Sequence, residues 1–217
     1  MILKLGPFMA LDYLVSAFVT LLVVLDPVGL APIFLTITAD LPRAARRQVG
    51  LRASLIAGAI LAGAAVIGDW LLTKLGITLP AFRIAGGLLL FAVAFDMVLG
   101  WRSQREVREA EQAVYADQVR HIAAFPLAIP LMAGPGAITA TILLAGRAGG
   151  RPNDLMILLG VIAALVAVCF AVFLVAGRIA RMLGLTGNLV LSRLLGVVLC
   201  ALAVQYVIDG IRAVLTG

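Results

Sequence analysis

Six stretches, each about twenty residues or longer and almost free of charge, follow one another along this chain: 11–38, 53–72, 80–100, 122–145, 155–177 and 189–215. A helix needs roughly 20 apolar residues to cross the hydrocarbon core of a bilayer. In that solvent only helices and closed barrels satisfy their own backbone polar groups. The pattern therefore predicts an all-α integral membrane protein of six transmembrane helices. A chain of 217 residues leaves room for short connections and for no sizeable soluble domain. Composition agrees, with 63% hydrophobic and 13% charged residues, against about 25% charged in a soluble domain. A soluble globule, a disordered chain and a nucleic-acid-binding module are all excluded.

The net charge of +6 reads as the positive-inside bias of membrane loops rather than as a footprint for acidic partners. Arg43, Arg46, Arg47 and Arg52 follow the first span. Arg102, Arg105, Arg108 and Arg120 follow the third, and Arg178, Arg181 and Arg193 follow the fifth. Lys4, Lys74, Arg83, Arg147, Arg151 and Arg212 fall on the other side. Eleven against six places the three basic loops in the cytoplasm and both termini outside. The apolar run at the N-terminus continues past Leu22 without a small-residue cleavage site, so it reads as mature protein. The segment 101–121 is a cytoplasmic connector. Val107, Ala110 and Val114 recur there at helical spacing, which predicts a short amphipathic helix on the membrane surface. His121, the one histidine, reads as a loop residue. Cys169 and Cys200 lie in apolar stretches and are expected to be free thiols.

Prolines carry the argument towards function. Five of the nine fall in two spans: Pro27 and Pro32 in the first, Pro126, Pro130 and Pro135 in the fourth. An internal proline removes a helix hydrogen bond and clashes with the preceding turn. The runs Asp26-Pro27-Val28-Gly29 and Ala133-Gly134-Pro135-Gly136 therefore predict helices broken near the middle of the membrane. These are the first spans of two sets of three, and the two prolines Pro27 and Pro135 lie 108 residues apart. The segments Arg83-Ile84-Ala85-Gly86 and Arg193-Leu194-Leu195-Gly196 correspond at an offset of 110. The whole chain, 1–217, reads as one polytopic domain with a first repeat over 1–100 and a second over 122–217. A repeat of three spans must be inverted across the membrane. Inverted repeats with paired broken helices are the layout of secondary transporters.

A broken helix exposes unpaired N–H groups and a partial positive charge where its second half begins. Two such starts, near Gly29 and Gly136, make a site suited to a carboxylate. Asp26, at the rim of the first break, can hold an ammonium group, Na⁺ or H⁺, since a carboxylic acid at bilayer depth is costly and usually functional. It can equally cap the half-helix that follows it. Together these groups complement a small zwitterion. Thr139 and Gln205 add hydrogen-bonding capacity, so the expected substrate site comprises Asp26, Pro27, Gly29, Gly134, Pro135, Gly136, Thr139 and Gln205. Asp96 and Asp209, near the ends of their spans, are secondary candidates. The second span is rich in small residues, and Gly58 with Ala62 or Ala59 with Gly63 permits close helix packing.

The Asp26-Pro27-Val28-Gly29 to Pro32-Ile33-Phe34 run resembles the start of the MarC family of bacterial inner-membrane proteins. So do Phe82-Arg83-Ile84-Ala85-Gly86-Gly87, Pro126-Leu127-Ala128-Ile129-Pro130, Ala133-Gly134-Pro135-Gly136-Ala137-Ile138, Arg193-Leu194-Leu195-Gly196 and Ala203-Val204-Gln205. The resemblance covers essentially the whole chain. It implies six spans in the cytoplasmic membrane, and the family includes carriers of glycine and alanine. By that likeness Asp26, Pro27, Gly29, Gly134, Pro135, Gly136 and Thr139 map to the broken-helix site.

The expected function is thus secondary transport of small neutral amino acids, by exchange or coupled to Na⁺ or H⁺, with the lipid bilayer as the other partner. No Gly-x-x-x-x-Gly-Lys-Ser/Thr phosphate loop is present for ATP drive, and no other cofactor is expected. Export of another small solute and a non-transporting role in membrane assembly, as a homo-oligomer, are the alternatives. Intramembrane catalysis lacks its means: no metal-ligand cluster is visible, and no nucleophile is paired with a base.

Overall fold

The computed structural model describes residues 6–100, 123–149 and 151–216, which form helices joined by short turns, with no strand among them. The predicted surface helix over 101–121, with His121, lies outside the described residues. Helix α1 (Gly6–Leu25) is followed, after Asp26 alone, by α2 (Pro27–Ile37). Then come α3 (Arg43–Lys74), α4 (Leu79–Leu99), α5 (Ala123–Met132) and α6 (Pro135–Ala148). The last helical stretch, Pro152–Thr216, is interrupted at Gly184, whose φ of 62° and ψ of −178° suit only glycine. The interruption divides it into α7 (Pro152–Gly184) and α8 (Thr186–Thr216).

Among the described residues, five segments are long and apolar enough to cross a bilayer: Ala10–Ile37, α3, α4, α7 and α8. The fourth expected span, 122–145, is instead two short pieces, and the prolines explain why. Pro126 and Pro130 both lie within α5, which is π-helical. It ends with a bond from Ala133 N–H to the Ala128 carbonyl, five residues back. The wider spacing accommodates residues that cannot donate to the ordinary ladder. Helix α6 has 14 residues, about 21 Å of length.

Two expected loops are largely helical. The arginine-rich stretch 40–52 was expected to be a connection, yet α3 starts at Arg43 and runs for 32 residues. That is about 48 Å, against a hydrocarbon core of about 30 Å. Its first turns can therefore project into polar surroundings, where arginines cost nothing. The stretch 178–188 is likewise helix, broken only around Gly184.

The broken first span runs through the middle of the bundle. Of its most apolar stretch 61% is buried, against 28–33% for the other four crossing segments. Leu21, Leu25, Leu30 and Ile33 are sealed among Leu61, Leu90, Leu127, Leu143 and Cys169. Leu55, Val66, Phe95 and Leu194 are exposed on the outside, as a lipid-facing surface requires.

Helices α4 and α8 pack antiparallel at backbone contact. A Cβ on Gly87 would lie 2.8 Å from the Ala203 carbonyl, one on Gly196 3.1 Å from that of Ala94, and one on Gly210 2.9 Å from that of Pro80. As one chain number rises the other falls, which fixes the direction. Small residues bring membrane helices this close. In α3, Gly58 meets Val166 and Gly68 meets Ile142, whereas Gly63 faces open space. Both cysteines are free.

Candidate functional site

At the first break a single residue ends one helix and begins the next. Asp26 N–H donates to the Leu22 carbonyl, completing α1, and the Asp26 carbonyl accepts from Leu30 N–H, opening α2. Between these bonds Asp26 takes φ 44° and ψ 65°, the only left-handed non-glycine residue among those described. That conformation costs about 1–2 kcal/mol for most L-residues, and Asp tolerates it best because its side chain bonds locally. Here Oδ1 accepts from Gly29 N–H at 3.0 Å. Pro27 at the first helical position has no N–H to satisfy. Gly29 is required by space: a Cβ there would collide with Asp26 Oδ2 and Cγ. The second carboxyl oxygen accepts from Ser192 Oγ of α8 at 2.9 Å. Asp26 is 5% exposed, and both of its oxygens are engaged.

The second break is built from the same residue types with the opposite outcome. Gly134 is the N-cap of α6, Pro135 follows, and no side chain caps the helix. Gly134 has φ −76° and ψ 171°, a conformation open to any residue and ideal for Ser or Asp. What demands glycine is the Pro130 carbonyl, against which a Cβ would collide. A capping side chain is therefore shut out. Among the described residues, the backbone bond closing the first turn is Ile138 N–H to the Gly134 carbonyl. Gly136 and Ala137 of the first turn are both buried, and N–H groups of a first helical turn have no partner within the helix.

The start of α6 packs against the end of α1. A Cβ on Gly136 would touch Val24, two residues before Asp26, at 3.8 Å, with Val93 and Leu90 of α4 at 3.3 and 3.7 Å. The flank of the first turn of α6 is thus packed against apolar side chains. Of the predicted site residues, Asp26, Pro27 and Gly29 form the first break and Gly134, Pro135 and Gly136 the second. Thr139 lies one turn further along α6, 8% exposed, with its methyl group against Gly86.

Gln205 is elsewhere. It is exposed and donates to Asp209 Oδ1 at 2.7 Å. Thirteen residues separate it from Ser192 on one helix, about 20 Å along the axis, so it cannot reach Asp26. It belongs to a second polar group. Arg147 there stands 3.4 Å from Asp209 Oδ2 and 3.4 Å from Ser16 Oγ, with its guanidinium 4.5 Å from the centre of the Tyr206 ring. Asp209 is therefore paired, not simply wetted. Tyr13 Oη donates to the Leu144 carbonyl at 2.9 Å, the buried Thr20 and Tyr206 hydroxyls face each other, and buried Arg83 Nε finds no partner among the described residues.

Ser192 is the contact that the sequence reading missed, because its neighbour Arg193 marks the span's charged end. The signal was its register. Ser192, Gly196, Leu199, Ala203, Tyr206 and Gly210 recur every three or four residues, and the last five are all buried. A hydroxyl in step with an inward face points inward.

Five membrane-crossing segments, a lipid-facing apolar surface and two interrupted helices define a polytopic α-helical membrane protein. The description of MarC family integral membrane proteins matches residues 11–215, and the chain belongs to that family. It is 36% identical over 207 residues to a UPF0056 membrane protein of Methanocaldococcus jannaschii, covering 95% of this chain and 100% of the relative. The UPF0056 membrane protein YhcE of Escherichia coli is 35% identical, covering 92% of each chain. YvbG of Bacillus subtilis is 30% identical, covering 94% and 96%. No solved structure matches.

Proposed function

We propose that this protein is a secondary transporter of small neutral amino acids of the glycine and alanine type, with the substrate held between the two breaks. The observation that carries this reading is that the buried start of α6, which has no side-chain cap, packs against the end of α1, directly before the buried Asp26. The N–H groups of Gly136 and Ala137, at the positive end of the helix, suit a carboxylate. Asp26 suits an ammonium group, which would take the place of the Ser192 hydroxyl on Oδ2. Glycines at both breaks, Gly29, Gly134 and Gly136, suit a substrate with a small side chain. The same carboxyl group offers a seat for the coupling ion, H⁺ or Na⁺.

The scaffold follows from the same reading: six spans in two inverted repeats, with α1–α2 and α5–α6 as the broken members at mid-membrane. The contact register supports it. Shifting the Gly87–Val207 contact by the 110-residue offset gives 197 against 97, one residue from the observed contact of Gly196 with Met97. The basic loops then face the cytoplasm and both termini lie outside, in the bacterial inner membrane.

Uptake of labelled glycine and alanine into proteoliposomes, with and without Na⁺ and pH gradients, tests the proposal. Saturable uptake is expected, with a loss of at least ten-fold for Asp26→Asn protein that is still folded. No uptake or exchange by intact protein under any gradient would refute it.

A further inference from the structure

The basic ends of α3 and α7 come together in a cleft of about 530 Å³ that the transport reading does not use. Arg43, Arg46 and Arg47 enter it from α3, and Arg178 and Arg181 from α7. Among the described residues its lining contains no carboxylate. The ion pairs among the described residues, Arg147–Asp209 and Arg151–Asp154, lie elsewhere. Five cations this close repel one another, and a bound anion would offset that repulsion.

Three features mark the cleft as built for an anion rather than as a solvated basic patch. Two of the guanidinium groups are held by backbone carbonyls. Arg46 donates to Leu41 and Ala39 at 2.9 and 2.7 Å, and Arg181 donates to Gly177 at 3.0 Å. Helix α3 begins at Pro42 without a side-chain cap and with no acidic residue in its first turn. Its arginines thus stand at the positive end of the helix, where a cation is disfavoured and an anion is favoured. The floor is apolar: Phe34 and Phe173 stack with centroids 4.5 Å apart over Gly50. From that floor the exposed apolar side chains of α7, Leu174 and Val175 among them, continue along the outer surface.

We infer that this cleft binds an anionic phospholipid, with the phosphate on the arginines and the acyl chains along the apolar flank of α7. A free phosphate would use the arginines and leave the aromatic floor without a role. A lipid uses both, and basic clefts at the cytoplasmic ends of membrane helices suit such headgroups. The inference rests on the chain being a membrane protein and is independent of the cargo.

Purified protein in detergent is titrated with phosphatidylglycerol, with phosphatidylcholine and with inorganic phosphate, reading bound lipid by native mass spectrometry and thermal stability in parallel. Phosphatidylglycerol is expected to bind at least ten-fold more tightly than phosphatidylcholine and to raise Tm. The Arg43→Gln/Arg47→Gln/Arg178→Gln variant should lose that preference at least ten-fold, while Arg151→Gln, outside the cleft, retains it. Should the triple variant misfold, exposed Arg178→Gln alone is expected to weaken the preference several-fold. Equal binding of the two lipids, or a preference unchanged in folded variants, would overturn the inference. Inorganic phosphate that displaces phosphatidylglycerol at comparable concentration would overturn it in favour of a free-anion site.

Discussion

At the break between α1 and α2 the chain supplies its own anion. Asp26 folds its carboxyl group over the start of α2, Gly29 makes room for it, and Ser192 closes the far side. At the break between α5 and α6 the chain excludes any such group, because the Pro130 carbonyl occupies the place where a capping side chain would begin. Both breaks use proline at the first helical position, glycine nearby and burial in the bundle. Yet one helix start is satisfied from within and the other is bare. A buried helix end without partners is rare, since orphaned N–H groups are costly. The bare end is intelligible if something that comes and goes occupies it, and the sealed one if its carboxyl group is the fixed counterpart.

The largest effect on that contrast is expected from Asp26→Ala. It removes the cap of α2, worth about 0.5–2 kcal/mol. It also leaves the half-buried Gly29 N–H and Ser192 O–H without their acceptor, at up to about 1–3 kcal/mol for each such group. A loss of about 3 kcal/mol, read as a marked fall in Tm, is expected. Asp26→Asn keeps an acceptor oxygen and tolerance of the left-handed conformation, and should retain most of the stability. Equal losses in the two variants would mean that the cap is not what holds the first break.

Gly134→Ser comes next. At an ordinary N-cap this change would stabilise the helix. Here the new Cβ meets the Pro130 carbonyl, and overpacking of this kind costs about 1–3 kcal/mol. A rise in Tm would show that the second break is open to capping and that its bareness is incidental. The smallest effect is expected from Ser192→Ala, which removes one hydrogen bond to Asp26, about 1 kcal/mol.

How much of this was legible beforehand varied with the kind of signal. Both breaks were visible because proline acts locally: Asp26-Pro27 and Gly134-Pro135 interrupt the hydrogen-bond ladder whatever packs around them. The π-helical form of α5 was not visible, since nothing local tells a kink from a widened turn. Hydropathy located the apolar centre of α3 and missed its arginine-bearing start, because charge marks where lipid ends and not where a helix does. The occupants of the breaks depended on tertiary contacts. Ser192 reaches Asp26 across 166 residues of sequence. Gln205, whose chemistry fits the site equally well, lies on the wrong stretch of the same helix.

The central claim is that the two breaks together recognise a zwitterion, the ammonium at Asp26 and the carboxylate at the bare start of α6. Equilibrium binding of radiolabelled glycine to the purified protein tests it most directly, with methylamine and acetate as competitors that each carry half of the charge pattern. The expected result is saturable binding that is abolished in folded Asp26→Asn, unchanged in Gln205→Ala, and displaced by alanine far better than by either half-ligand. Absence of glycine binding by intact protein, or displacement by acetate or methylamine as effective as by alanine, would contradict it.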